Sequence, residues 1–240
     1  QRHRSGQQGL ANPVIVAGAG RLTAEIQRIF TATDTVTATA ATLKAPSTVK
    51  VQGAVFDASA IADLKQLDEL YAFFHTNAKR LGQHARVVVL GTAPELCKDL
   101  PQAIAQRSLE GLVRSLAKEL RRAITVQLIY VAPGAEGALE SSLRFFLSRR
   151  SAYVSGQVVR LEKPVDSQAE INWDKPLSGR RALITGASRG IGLAIAQVLA
   201  RDGAQVVCVD VPQAQESLQQ AASSVGGTAL ALDITATDAA

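Results

Sequence analysis

The sequence predicts an α/β fold: a doubly wound parallel sheet, followed by the first βαβαβ part of a second unit of the same kind. Three observations predict it. The strand-like runs are solidly apolar rather than alternating, as in Arg86-Val87-Val88-Val89-Leu90, which is the pattern of strands covered on both faces. Segments of helical spacing alternate with these runs. A strand followed by a Gly-Ala turn occurs at 14–20 and again at 182–190, which reads as an internal duplication.

The elements follow in order. Residues 1–12 are polar and read as a leader. Pro13 to Ala17 is a short apolar run closed by Gly18-Ala19-Gly20, a buried strand and a tight turn. Leu22, Ile26, Ile29 and Phe30 give 22–31 helical spacing. Residues 32–50 are rich in Thr and Ala, and part of them suits an edge strand. Gly53 to Asp57 is a strand, 62–81 a helix, and Arg86 to Leu90 a strand. In 101–122, Leu109, Leu112, Val113, Leu116 and Leu120 form one apolar helical stripe. Ile124 to Val131 is a strand ended by Ala132-Pro133-Gly134, 139–149 a helix, and Gln157 to Leu161 a strand. Residues 162–178, polar with Pro164 and Pro176, read as a linker between domain 13–161 and domain 179–240. Beyond it come a strand at 181–185, a helix at 190–202, a strand at 205–209, a helix at 213–224 and a strand at 228–232.

Composition narrows the function classes. At roughly 150 residues per domain, 240 residues make one large domain or one and a half small ones. A 47% hydrophobic and 20% charged balance excludes a disordered or collagen-like chain. No apolar run approaches the ~18 residues of a membrane helix, and no apolar segment behind Gln1-Arg2-His3-Arg4-Ser5 suits a signal peptide. Two scattered cysteines, Cys97 and Cys208, make neither a disulfide framework nor a zinc site, so a cytoplasmic protein is expected. The absence of methionine, even at position 1, points to a piece of a longer protein. Residues 1–178 hold 22 Lys and Arg against 16 Asp and Glu, whereas 179–240 hold 4 against 5. That positive field favours acidic partners. With aromatics at 4% and no stripe of aromatic and basic residues, nucleic acid is not an expected partner.

The motif that carries chemistry is Thr185-Gly186-Ala187-Ser188-Arg189-Gly190-Ile191-Gly192, between a strand and a helix. This is the context of a dinucleotide fingerprint. Gly186 permits the sharp turn, Gly190 lets backbone approach a pyrophosphate, and Gly192 lets the helix pack closely on the sheet. The helix N-terminus offers N–H groups and partial positive charge to phosphates. Asp210, 18 residues after Gly192 at the end of the next strand, can accept hydrogen bonds from the ribose hydroxyls of NAD(H) and would repel the 2′-phosphate of NADP(H). Arg189 pulls the other way, since it can pair with that phosphate. The plainer alternatives are a ligand-free tight turn and an Asp210 that only caps the next helix.

These residues resemble the short-chain dehydrogenase/reductase family, a Rossmann fold. The octapeptide 185–192 is similar to its TGxxxGxG motif. Asp233, in Leu232-Asp233-Ile234-Thr235, is similar to its adenine-contacting Asp, with Ile234 beside it. The resemblance covers 179–240; the family's Asn-Asn-Ala-Gly motif and its catalytic Ser, Tyr and Lys would all lie beyond Ala240. Residues 13–161 resemble the family in degraded form. Ser115 to Leu120 is similar to the end of the helix carrying Tyr-x-x-x-Lys, and Ser151 to Val158 to its closing strand. This alignment puts Gln102 at the Tyr position and Gln106 at the Lys position, with Phe56-Asp57-Ala58-Ser59 in place of Asn-Asn-Ala-Gly. Glutamine has no ionisable group near neutral pH, so this domain is expected to be non-catalytic.

The arrangement resembles the high-molecular-weight, two-domain 3-oxoacyl-[acyl-carrier-protein] reductases, with a flavodoxin-like domain ahead of the reductase. That implies reduction of 3-oxoacyl thioesters of acyl-carrier protein or CoA in fatty-acid metabolism, in a homodimer or larger oligomer. The 240 residues alone are expected to be inactive. The alternatives are a non-catalytic module that binds a dinucleotide or a partner, and a flavin site in 13–161, which the missing glycines disfavour. A unit of only about three strands should bury too little surface to stand alone. Arg107, Arg114, Lys118 and Arg121 share roughly one helical face, either a docking surface for an acidic carrier protein or an ordinary solvated face. His3, His75 and His84 lack metal-ligand spacing and are expected at the surface. Cys97 has no histidine nearby to make it a nucleophile. Tyr153 is expected in the core or an interface.

Overall fold

The computed structural model describes residues 9–39, 50–163, 172 and 174–237. Most of the leader, much of 32–50 and most of the linker expected at 162–178 lie outside the described residues. The chain divides into two compact units, Gln1–Asp166 and Ser167–Ala240.

The first unit is a six-stranded parallel sheet in the order β2-β1-β3-β4-β5-β6. Its strands are β1 (Val14–Ala17), β2 (Thr37–Thr39), β3 (Val51–Asp57), β4 (Leu81–Gly91), β5 (Thr125–Val131) and β6 (Gln157–Leu161). The first five strands follow the flavodoxin-like order. Alternate strand residues feed two cores, which explains the solid apolar runs. On one face Ile15, Phe56, Val87, Val89, Leu128 and Tyr130 pack with α2 (Leu67–Asn77) and α3 (Leu100–Glu119). On the other, Val14, Val55, Val88, Leu90 and Ile129 pack with α1 (Thr23–Ala32) and α4 (Leu139–Leu147).

Local chemistry sets the boundaries. The α3 helix starts at Asp99, whose carboxylate accepts the Gln102 N–H at 2.9 Å, with Pro101 in the first turn. It stops at Glu119, and Arg122 and Ala123 take positive φ to turn the chain into β5. Arg121 therefore lies past the helix, and the expected basic face keeps only Arg107, Arg114 and Lys118. The helix expected over 62–81 is shorter at both ends. Asp63 draws its carboxylate onto the N–H groups of Lys65 and Gln66, a local turn that competes with helix, and Leu81 already belongs to β4.

The second unit is a three-stranded parallel sheet, β7 (Arg181–Thr185), β8 (Gln205–Asp210) and β9 (Thr228–Ala231), in that order. The helices α5 (Gly190–Arg201) and α6 (Gln215–Ser224) connect them. Ile184, Val206, Cys208, Ala196, Leu218 and Ala222 form its core. On the opposite face Leu183 is 65% exposed and Leu230 42%, so one side of this sheet is thinly covered.

Leu109 is fully buried between α3 and the sheet. Leu109→Ala is expected to destabilise the first unit by about 2–5 kcal/mol. Urea-dependent exchange of the β4 and β5 amide protons measures this.

Candidate functional site

The octapeptide loop leaves β7 at its C-terminal end and leads into α5. Gly186 and Gly190 have φ of +65° and +59°, conformations that side chains rarely adopt. A Cβ on Gly190 would meet nothing within 4 Å, so its positive φ rather than crowding is what calls for glycine there. A Cβ on Gly192 would lie 2.1 Å from the Gly186 carbonyl oxygen. Gly192 thus lets the helix close on the loop's own first turn, rather than on the sheet as its spacing suggested. Ala187 is fully buried in the core, and its N–H donates to the Val209 carbonyl at 3.1 Å.

The first intrahelical bond of α5 runs from the Leu193 N–H to the Arg189 carbonyl. The N–H groups of Gly190, Ile191 and Gly192 precede it and have no acceptor within the helix. Helix ends of this kind attract anions.

Asp210 ends β8 beside this loop. One carboxylate oxygen accepts the Ser188 N–H at 3.0 Å and the other accepts the Val211 N–H at 2.9 Å. Its carbonyl oxygen accepts the Leu232 N–H, joining the start of the 232–237 turn to the same edge. The following short 3-10 turn begins from Val211 without a side-chain cap, and α6 begins from Ala214 likewise, so Asp210 caps neither. The Ser188 hydroxyl, the Ser188 N–H and the Val211 N–H, in that order, hold the Asp210 pKa below its usual value.

Gly186, Ser188, Arg189, Ile191, Gly192 and Asp210 line one open cleft of about 770 Å3, whose far wall includes Gln213 and Ser217. Gly190 does not line it. Asp233 and Ile234 lie past β9 on an exposed turn outside it. The Asp233 carboxylate accepts the Thr235 hydroxyl and N–H at 2.7 and 2.9 Å, and these hold its pKa down.

The corresponding turn of the first unit is built differently, and its key residue was not singled out from the sequence. Asp57, 2% exposed at the end of β3, points into the N-terminal turn of α1. Its carboxylate accepts the Leu22 N–H at 3.0 Å, the Thr23 hydroxyl at 3.1 Å, and the Ser59 N–H and hydroxyl at 3.1 and 2.6 Å. A Cβ on Gly20 would lie 2.3 Å from this carboxylate, and one on Gly18 2.2 Å from the Asp57 carbonyl oxygen. Here the glycines admit a protein carboxylate. Arg21 then crosses to Glu136 and the Val131 carbonyl.

Gln102 and Gln106 are braces. The Gln102 side chain accepts the Lys98 N–H. Gln106, fully buried, accepts the Thr92 N–H and donates to the carbonyls of Ala58 and Ile61 at 2.8 and 2.9 Å. Tyr130 donates its hydroxyl to the Gln106 carbonyl, and burial pushes its pKa up. Of the remaining candidates, Tyr153 is 87% exposed, which corrects the first of its two expected places, the core. His75 is exposed against Tyr71, whereas His84 is half-buried; His3 lies outside the described residues. Burial, then Asp99 and Glu95, push the Cys97 thiol up, and burial does the same to Cys208. Arg107 and Arg114 both pair with Glu110, leaving less net charge on that face. Among the described residues no three potential ligands gather for a metal, and no helix is long and apolar enough to cross a membrane.

Comparison with known proteins bears on the loop first. Residues 180–240 match the family model of the short chain dehydrogenases. Within curated proteins, galactitol 2-dehydrogenase of Agrobacterium fabrum is 44% identical over 59 residues, 25% of this chain and 23% of that protein. The ketoacyl reductase HetN of Nostoc is 46% identical over 59 residues, 23% of this chain and 20% of that protein. Gluconate 5-dehydrogenase of Gluconobacter oxydans is 74% identical over 31 residues, 13% of this chain and 12% of that protein. The chain thus spans a quarter or less of the length of these relatives. A solved short-chain dehydrogenase/reductase (glucose/ribitol dehydrogenase) of Brucella melitensis aligns with 66% of this chain and 98% of its own, at a TM-score of 0.51 and 12% identity. That share exceeds the second unit, so the Rossmann-like architecture extends into the first.

Asp210 supplies a pH test. Its hydrogen bonds lower its pKa in the folded chain, so their contribution is complete above 3.8 and fades as pH falls through the lower folded value. A carboxyl-carbon NMR titration should give a midpoint below 3.8, and Ser188→Ala should move it part of the way back.

Proposed function

We propose that this chain carries the dinucleotide-binding segment of a short-chain oxidoreductase that uses NAD(H). The observation that supports this most directly is the carboxylate of Asp210, fixed by two backbone N–H groups at the rim of the loop cleft. Each of its oxygens keeps a lone pair for a ribose hydroxyl, and its charge opposes a 2′-phosphate. The residues fit the dinucleotide: Ile191 and Gly192, in the first turn of α5, line the cleft and have N–H groups with no acceptor in the helix, free for a pyrophosphate. Arg189 lines the same cleft and adds positive charge. Asp233 and Ile234 are assigned to the adenine end, with Leu232 tied to Asp210.

When bound, the nicotinamide supplies hydride chemistry, and this chain's residues bind and orient it. None of the described residues near the cleft is assigned as the acid that protonates a carbonyl oxygen. The substrate we assign is a 3-oxoacyl thioester of acyl-carrier protein or CoA, on the resemblance of the two-unit arrangement. The relatives' names span polyol, sugar-acid and ketoacyl chemistry, so the matched segment itself does not choose among them. Arg107, Arg114 and Lys118 are the proposed contact for an acidic carrier protein, in a cytoplasmic homodimer or larger oligomer. The second reading, a module that binds without turnover, draws on the bracing roles of Gln102 and Gln106 in the first unit.

Fluorescence titration separates these readings. NADH is expected to bind at least about tenfold more tightly than NADPH, a difference of roughly 1.4 kcal/mol. Asp210→Ser should close most of that gap. The 240 residues should not oxidise NADH with a 3-oxoacyl thioester. Tighter NADPH binding would overturn the cofactor assignment, and turnover by this chain would overturn its assigned lack of acid–base residues.

A further inference from the structure

A second feature lies in the first unit, where β4 begins to pair with the start of β5. Arg86 follows the alternation of Val88 and Leu90 and so faces the α1–α4 side, yet it is charged and only 4% exposed. Its Nε donates to the Ser148 carbonyl at 3.1 Å and one terminal nitrogen to the His84 carbonyl at 3.0 Å. Among the described residues no carboxylate lies within 4 Å of it. Carbonyl dipoles satisfy two of its five N–H groups and none of its net charge, and a buried charge is costly without a counter-charge. The neighbourhood makes the cost larger. Burial, then the like charge of Arg149, push the Arg86 pKa down.

The surroundings of Arg86 add to this. Arg86, His84, Arg149, Asn12 and Gln52 line a cavity of about 200 Å3. Thr125 stands directly across from Arg86 in the β4–β5 register and is 4% exposed, and its hydroxyl has no hydrogen-bond partner among the described residues. Thr125 is not among the residues lining the cavity; the buried Arg86 guanidinium on its wall is what calls for a polar species that the described residues do not supply. The cavity is smaller than the ~300–1,000 Å3 of pockets for larger ligands, so the species is small.

We propose that this cavity binds a small oxyanion, a phosphate or a carboxylate group, held by the Arg86 guanidinium with Arg149 at its mouth. The site is separate from the loop cleft and does not depend on its assignment. Arginine suits the task because its planar fork donates in pairs to such groups.

The test is an NMR titration of the full 240-residue chain, 15N-labelled, with inorganic phosphate and separately with acetate, at ionic strength fixed with sodium chloride. Saturable shifts are expected at residues 83–86 and 148–149 with at least one anion, and the tighter-binding anion identifies the source. Arg149→Gln, at an exposed position, should weaken that response about tenfold. Arg86→Met should abolish it while the spectrum elsewhere stays folded. If Arg86→Met does not fold, Arg149→Gln decides the matter. Shifts confined to 186–192, a response that does not saturate, or unchanged affinity in Arg149→Gln would overturn the proposal.

Discussion

A carboxylate at the end of a strand, set against the backbone N–H groups of a neighbouring turn, organises both units of this protein. A parallel βα unit leaves the first N–H groups of its helix without partners inside the helix, which favours negative charge beside that end. In the first unit that charge belongs to the chain itself. Asp57 reaches into the N-terminal turn of α1 and holds Leu22, Thr23 and Ser59. In the second unit Asp210 stops one step short: it fixes Ser188, ahead of the helix, and Ile191 and Gly192 of the first helical turn are left lining the cleft. The same two components thus give a closed turn in one unit and an open cradle in the other.

The rest of the first unit supports the closed form. Gly18 and Gly20 have no room for a Cβ because Asp57 stands beside them. Arg21, the residue after the turn, is drawn to Glu136 and the Val131 carbonyl. Gln106 ties the loop after β3 to the end of β4, using every polar atom of its amide group in a buried position. The first unit therefore keeps a Rossmann-like parallel sheet, and these side chains hold its loops together. The second unit, whose sheet is thinly covered on one face, keeps the loop.

The fold was legible because burial on both faces writes itself into sequence as solid apolar strands, seen in Val87-Val88-Val89-Leu90, and because the glycine loop has a fixed place between strand and helix. Boundaries were less so. Asp63 could cap or break a helix, and only the surrounding packing decides; Arg121 continues a helical spacing after the backbone has left the helix. Asp57 was visible as a departure from a family pattern, but its role depends on a contact 35 residues away with Leu22. Tyr153 suited a core or an interface by type, and its place in a loop leaves it out of the core. The Gly192 contact with Gly186 is likewise a matter of backbone approach that spacing alone does not specify.

Each chain thus has one open cleft at 185–192 and one closed turn at Asp57. The most direct measurement is the stoichiometry of NADH bound at saturation, by equilibrium dialysis of the 240-residue protein. One NADH per chain is the result the account predicts. Two per chain would mean that the Asp57 turn admits the dinucleotide after all, and none would mean that the loop at 185–192 is only a turn.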